Sequence, residues 1–524
     1  MNKRILLIAG AVCILATAVF FGFKTYSEAT LRGKIETFLA NLPAPIKAEA
    51  EKIEVSLLDK SIRLINVKGS YTTKQPDTGK SISVDFSTDR IDARGVDLDA
   101  FKSGTGVTKI FASLTFRNAA LNSPLAKGNI KRYHFEDVFC DVENFYKEFT
   151  KALPSLMASN ASPNFPSNDA ETKKLFTDLG ALTRAYETLH IGRIICENYT
   201  YAFDIEEQKV DLNLGTAEMK DYSIRKMGPA TMNKLTVNVD GSPLMNLERM
   251  SMDGLILPSF TTFFDTLAAT KDSDLSAIQN SFKGQTFSLQ NLRLKNLAVF
   301  HPEEVKETLL SFGELAFSYT AETSHAINLD FNNLDIPKKL ILEESQLPPA
   351  TLASLPETIL LHGGWQQTVV PKESSFFDLD CKKIFLRGPG LGEISVTAAI
   401  DNVSTIDLIM GTSENALLKG FDLAITDAGL SDAAFALKGF SEDKTGAQAR
   451  ADEVASLRQE DQNVSSPIAK KLLNNLISFI EKPGRSLRVV FAPEKPMNMQ
   501  QLTESFIFAE PDSIGLSVSV KRPN

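Results

Sequence analysis

The sequence predicts a mainly β protein with helical insertions. It reads as an N-terminal transmembrane helix followed by an elongated, curved, bulged antiparallel sheet array, groove-like in section. Three observations predict this. A strand-like phrase returns ten times, turn-forming clusters of Asp, Gly and Lys separate the copies, and an uncharged apolar run from Ile5 to Phe23 precedes them all.

The phrase is apolar, any, apolar, any, then Asn, Gly or Asp, then apolar, any, apolar. Clear copies run from Met250 to Leu257, Leu292 to Val299 and Leu329 to Ile336, and looser ones start at Ile62, Ile91, Leu114, Tyr133, Ile194, Ala217 and Ala416. Its first half alternates with period two, and its second half resumes one residue late, so a regular strand would change faces midway. A bulge prevents this: one extra residue with a left-handed backbone returns the later apolar side chains to the original face. Gly95, Asn118, Asp221, Gly254, Asn296 and Asn333 are the expected bulge positions.

Lys3 and Arg4 precede the apolar run, which as a helix would span about 28 Å, close to the ~30 Å hydrocarbon core of a bilayer. Residues 1–27 therefore read as a membrane anchor. Ala16-Thr17-Ala18 resembles a cleavage site, but Val19, Phe20, Phe21 and Phe23 continue the apolar run past it. A short basic tail before an apolar helix is the usual layout of an uncleaved export signal. It places the bulk of this single-pass chain outside the cytoplasmic membrane.

Residues 28–344 form a β-rich region. Residues 28–50 read as a helix with a Leu31, Ile35, Phe38, Leu39 stripe, and strands start at Ile53. A helical hairpin is inserted at 141–190. Asp141 caps its first helix, which carries Val142, Phe145, Phe149 and Leu153, and Asn168 or Asp169 caps the second, which carries Leu175, Leu179, Leu182 and Leu189. Its plain role is to cover the sheet, and its sharper one is a lid. A Phe-rich helix follows Leu257, and strands resume from Phe287 to Leu342. Residues 345–357, with Pro348, Pro349 and Pro356, read as a linker. The C-terminal β-rich region, 358–524, has strands at Thr358 to Val370, Phe376 to Thr412 and Ala416 to Leu437. It also has a helix at 467–482, with Ser466 as cap, Pro467 in the first turn and Pro483-Gly484 as stop. Ile468, Leu472, Leu473, Leu476, Ile477 and Ile480 give that helix an apolar face, read as docking on the sheet.

Composition narrows the function classes. A net charge of −9 with no long basic run argues against a nucleic-acid binder. The 34 Phe against 9 Tyr and 1 Trp favour packing without polar tips. Cys13 lies in the apolar run, and Cys140, Cys196 and Cys381 are scattered, leaving a Cys140–Cys196 bridge open. The five histidines, His134, His190, His301, His325 and His362, show no ligand spacing. Gly79-Lys80-Ser81 ends like a phosphate loop, but Lys74 stands where its first glycine belongs. Gly388-Pro389-Gly390-Leu391-Gly392 suits a turn better than a dinucleotide site. The carboxylate pairs Glu206-Glu207 and Glu303-Glu304 point apart and make poor acid/base pairs. No catalytic, cofactor-binding or metal-ligating residue is assigned, and the expectation is a protein that is not an enzyme.

The anchored N-terminus and the strand phrases, carried best by Ile62 to Val67, Ile91 to Val96 and Met250 to Leu257, resemble the AsmA-like proteins of bacterial envelopes. The stretch Ile425 to Leu430, the helix at Pro467 and Leu487 to Pro496 look like uncharacterised membrane-anchored proteins of Gram-negative bacteria. The AsmA resemblance implies a single-pass protein of the bacterial inner membrane with the bulk of its chain in the periplasm, and a curved β-groove with an apolar interior, used in phospholipid traffic or outer-membrane homeostasis. On this reading Met250, Met252, Leu292, Leu294, Leu329 and Phe331 line the lipid groove, and the expected partners are the membrane, phospholipid and other envelope proteins. The alternative is a structural or protein-interaction module of the envelope with a closed core.

Overall fold

Eight of the ten phrase copies carry a left-handed residue at their fifth position: Asn66, Gly95, Asn118, Asp137, Asn198, Asp221, Asn296 and Asn333, with φ between 49° and 60°. The parity break in the sequence is thus a real backbone feature, written mostly with the side chains that tolerate this region. Gly254 behaves differently, since the strand is interrupted there between Met252 and Gly254.

The computed structural model describes residues 28–42, 46–74, 81–97, 106–124, 126–145, 147–148, 151, 169–205, 208–269, 285–301, 308–322, 324–340, 356–372, 376–404 and 415–522. It is mainly β, antiparallel in the pairings of the described residues, and divides into two compact units, Met1–Phe287 and Ser288–Asn524. The membrane anchor expected at 1–27 lies outside the described residues, as do Glu206-Glu207 and Glu303-Glu304. Among the described residues no helix is long and apolar enough to cross a membrane.

The first unit begins with α1 (Glu28–Ala40) and continues with β1 (Ile46–Ser56), β2 (Ser61–Lys74), β3 (Ser81–Arg94), β4 (Thr108–Ser123) and β5 (Ala126–Cys140). After the insertion come β6 (His190–Ile205), β7 (Gln208–Ser223), β8 (Lys226–Met227), β9 (Ala230–Val239), β10 (Ser242–Met252) and β11 (Gly254–Ile256). Each long strand pairs with the next, in the order β1, β2, β3, β4, β5, β6, β7, β9, β10. The short strands β8 and β11 pair with each other.

Two expectations are corrected here. Residues 46–50 are strand rather than helix: Ile46, Ala48 and Ala50 alternate with charged residues and pair with Tyr71, Gly69 and Val67. Nor does the parity break add an unpaired residue. Lys52 faces Ile65 and Ala50 faces Val67, so the register is the same on both sides of Asn66. At that level the left-handed residue recurs on alternate strands, as Asn66, Asn118, Asn198 and Lys234 on β2, β4, β6 and β9, and pairing resumes beyond it in the same register. Ile62, Leu64 and Val67 nonetheless pack in one cluster with Phe86, Ile91 and Ala93, so both halves of the phrase do face one way. A one-sided bulge does occur in the first unit between Lys109 and Phe111.

The Asn118 side chain also donates to Asp89 Oδ2 at 2.8 Å. Asn118→Val is expected to destabilise the first unit by about 1–2 kcal/mol, the cost of left-handed backbone for a branched residue. Asn118→Gly should lose less. Equal losses in denaturant midpoints would sink the backbone explanation.

α1 buries Leu31, Ile35 and Leu39 against β1 to β5. The insertion yields a helical turn at 142–145, where Asp141 Oδ1 accepts from the Asn144 amide at 3.1 Å, and α2 (Asp169–Glu187). Ala185, Tyr186 and Leu189 join the same core, so the end of the insertion does pack on the sheet. The Phe-rich segment is α3 (Phe260–Ala269), held to α2 by an Arg184–Asp265 fork at 2.8 and 2.9 Å and a stacked Phe176–Phe264 pair. The Cys140–Cys196 bridge fails on register. Cys196 faces Tyr133, seven residues along β5 from Cys140, or about 23 Å at ~3.3 Å per residue. Neither cysteine is in a disulfide.

The second unit contains β12 (Phe287–Phe300, starting at the division), β13 (Thr308–Ala321), β14 (His325–Pro337), β15 (Thr358–Pro371), β16 (Phe376–Gly388), β17 (Gly392–Ser404) and β18 (Leu417–Asp427). Then follow α4 (Leu430–Ser441), α5 (Gly446–Asn463), α6 (Pro467–Glu481), β19 (Ser486–Phe491), α7 (Met499–Phe508) and β20 (Leu516–Lys521). Strands β13 to β20 pair consecutively. The proline-rich stretch, of which 345–355 are outside the described residues, lies within this unit between the paired strands β14 and β15. Gly388 to Gly392 is the turn of the β16–β17 hairpin, with Gly390 at φ 74°. Residues 430–437, expected as strand, are helix α4, because Asp427 ends β18 and binds the amides of Gly429 and Ser431. Ser466 caps α6 as its sequence requires, at 3.2 Å to the Ala469 amide.

Candidate functional site: an open apolar sheet face

Directly opposed residues on neighbouring strands share a face, so register converts the phrase into rows. One row crosses all nine long strands of the first unit: Ile53, Leu64, Ile91, Phe116, Tyr133, Cys196, Ala217, Met232 and Met250. A second runs Val55, Ile62, Ala93, Leu114, Phe135, Ile194, Met219, Ala230 and Met252. Beyond the parity break a third ends in Tyr199, Leu214, Leu235 and Leu247.

These rows are covered over β1 to β4 and half-open over β7 and β9, and the third closes again on β10, where Leu247 is 6 % exposed. Leu64, Ile91, Phe111 and Phe116 are buried under α1 and the end of α2. No side chain of β7 or β9 is buried, although both strands lie inside the sheet and carry Leu212, Leu214, Met232, Leu235 and Val237. A central strand normally buries such residues against a second layer. The half-open surface is still apolar in character. Burial pushes the Cys196 thiol up to about 11, helped by the Glu197 carboxylate, and burial pushes the Tyr199 phenol up to about 12.

The opposite face is charged. The intervening row pairs Glu54 with Arg63 at 2.9 Å, Arg63 with Asp92 at 2.9 Å, and Thr115 with His134 at 2.7 Å. Arg193 joins Glu136 and Glu218 at 3.5 and 2.9 Å across β5, β6 and β7. Burial would raise the Asp92 carboxyl, but hydrogen bonds from Arg90 and Arg63 outweigh it and hold the group below its usual range. The sheet of the first unit is therefore two-faced, charged on one side and hydrocarbon on the other.

The second unit repeats the design. Phe317, Leu329, Trp365, Ile384, Val396, Leu423, Val489 and Val518 form one row over eight strands. Leu315, Phe331, Gly363, Leu386, Ile394, Ile425, Leu487 and Val520 form the next. Gly363 leaves the space taken by the Phe331 ring. Exposure falls along the second row from 44 % at Leu386 to 6 % at Leu487, because α6 packs over β19 and β20. Trp365 and Ile384 are about as exposed as Leu386.

The six residues expected to line a groove separate by unit. Met250 and Met252 stand on rows of the first, opposite Met232 and Ala230, and Leu292, Leu294, Leu329 and Phe331 belong to the second. All six are half-buried. What sequence reading missed in the C-terminal cover is α4, α5 and α7, not α6. Thr445 with Gln448 and Asn498 with Gln501 form capping boxes that announce α5 and α7. Under α6 and α7 lies an apolar pocket of about 380 Å³. Among the described residues no three His, Cys, Asp or Glu side chains gather as metal ligands.

A family model described as an uncharacterized protein matches residues 385–521, the part holding β17 to β20 and the covering helices. No curated protein matches the chain. No solved structure matches it.

Proposed function

We propose that this is a membrane-anchored envelope protein that is not an enzyme and that binds or transfers phospholipid along its apolar sheet faces. One observation carries the reading: rows of Leu, Met, Phe and Trp that continue unbroken from covered strands onto β7, β9 and β13 to β16, where their side chains stay partly open. An acyl chain is the burial partner such a face lacks, and each buried methylene is worth about 0.8 kcal/mol. The charged opposite face keeps the sheet from stacking on itself. The sealed half of the first unit favours the alternative, an interaction module with a closed core.

Full-length protein purified in detergent is expected to retain phospholipid detectable by mass spectrometry. A benzoylphenylalanine in place of Leu214 should capture that lipid, and one in place of Thr231, on the charged face, should not. A stoichiometric protein partner with no lipid at either position would overturn the lipid reading in favour of the interaction module.

A further inference from the structure

The pocket beneath α6 has a composition that selects its occupant. Ala469, Leu472, Leu473 and Leu476 of α6 form its roof, and Leu487, Val489 and Val518 of β19 and β20 form its floor. Phe506 of α7 closes one side, and the Ser466 hydroxyl ties α7 in place by donating to the Phe506 carbonyl. Every lining side chain is hydrocarbon. A headgroup or a peptide would bring polar groups that find no partner here, at a cost of roughly 1–3 kcal/mol each. A hydrocarbon chain brings none.

Position adds to composition. Val489 and Val518 belong to the row of Trp365 and Ile384, and Leu487 to the row of Leu386. The open section at Ile384 lies three strands from Val489, about 14 Å at ~4.8 Å per strand. An apolar track thus leads from the open face into the covered pocket with no polar row to cross. At about 380 Å³ the pocket is at the small end of ligand sites, which span ~300–1,000 Å³. That suits part of one chain, not a whole two-chain lipid.

We infer that this pocket receives the terminal part of a single acyl chain whose remainder lies on the open rows of β15 to β17. The inference rests on the lipid reading above and deepens it: the second unit reads a lipid by its hydrocarbon tail, not its headgroup. Phe506 and α7 form the side wall that the chain end meets.

The test uses the full-length protein in detergent and two phosphatidylglycerol probes, one with a diazirine at the end of one acyl chain and one with a diazirine next to the headgroup. After irradiation the labelled peptides are mapped. The tail probe is expected to label 469–476 and 487–489, and the headgroup probe to label outside these segments. Ala469→Phe, which fills the pocket from its roof, should cut tail labelling there about tenfold, a loss of ~1.4 kcal/mol in binding. Val518→Phe fills it from the floor and serves if the first variant folds poorly. Open-face labelling with an unlabelled pocket overturns this inference and leaves the lipid reading standing. Pocket labelling without open-face labelling keeps the pocket and removes the groove. No labelling of either removes both.

Discussion

Phe111→Ala is expected to destabilise the first unit by about 3–5 kcal/mol, and Leu214→Ala by less than about 1 kcal/mol. Both residues are large, apolar and set within central strands, so propensity and composition give no reason for a difference. The difference lies in what covers them. Phe111 is 1 % exposed within the cluster that α1 and α2 help to close, and its removal leaves a cavity that close-packed neighbours cannot fill. Leu214 is on a strand with no buried side chain, where truncation leaves a shallower surface that water reaches. Chemical denaturation with hydrogen exchange followed in β4 and β7 reads both costs. Comparable losses would mean that the face of β7 has a cover, and the binding surface would disappear with it.

The division into covered and open stretches is what sequence could not reveal. Alternation fixes which side of a strand is apolar, and the Asn, Asp and Gly positions announce where the backbone turns left-handed, since few other residues tolerate it. Neither signal says whether a second layer lies on that side. Leu386 and Leu487 occupy the same row with similar neighbours, and only the distant helix α6 makes one open and the other buried. The helix itself was legible, from Ser466, Pro467 and its apolar stripe, because those signals are local. Helix α4 was not. Its first turn has no side-chain cap at Gly429, and the group that serves it, Asp427, belongs to the preceding strand. The unchanged register across Asn66 was also hidden, because a single strand does not report how its neighbours pair on either side of the break.

Asp427→Ala is expected to loosen the C-terminal helices by about 2–4 kcal/mol, the cost of stranding several buried donors at once. The carboxylate is 3 % exposed. Its Oδ1 accepts from the amides of Gly429 and Ser431, both at 3.0 Å, and its Oδ2 from the Ser431 hydroxyl at 2.5 Å and the Gly484 amide at 3.0 Å. One side chain therefore starts α4 and fastens the turn between α6 and β19, two segments far apart in sequence. Burial would raise this carboxyl, but the Ser431 hydroxyl and amide and the amides of Gly429 and Gly484 outweigh it, and the group stays below its ordinary value. The sign of the pH dependence follows. A carboxyl held below its unfolded value of about 3.9 contributes stability that is present above that pH and is lost as pH falls through the folded value. The gap between the wild-type protein and Asp427→Ala should be full at pH 7 and narrow below about pH 4. Asp427→Asn should fall between the two at neutral pH, because its amide keeps one acceptor and cannot receive from Gly484 and Ser431 with the other atom. Denaturation midpoints across pH 3 to 7 measure this. A gap that stays constant into acid would mean that the carboxylate charge plays no part and that shape alone holds α4 to the β18 end.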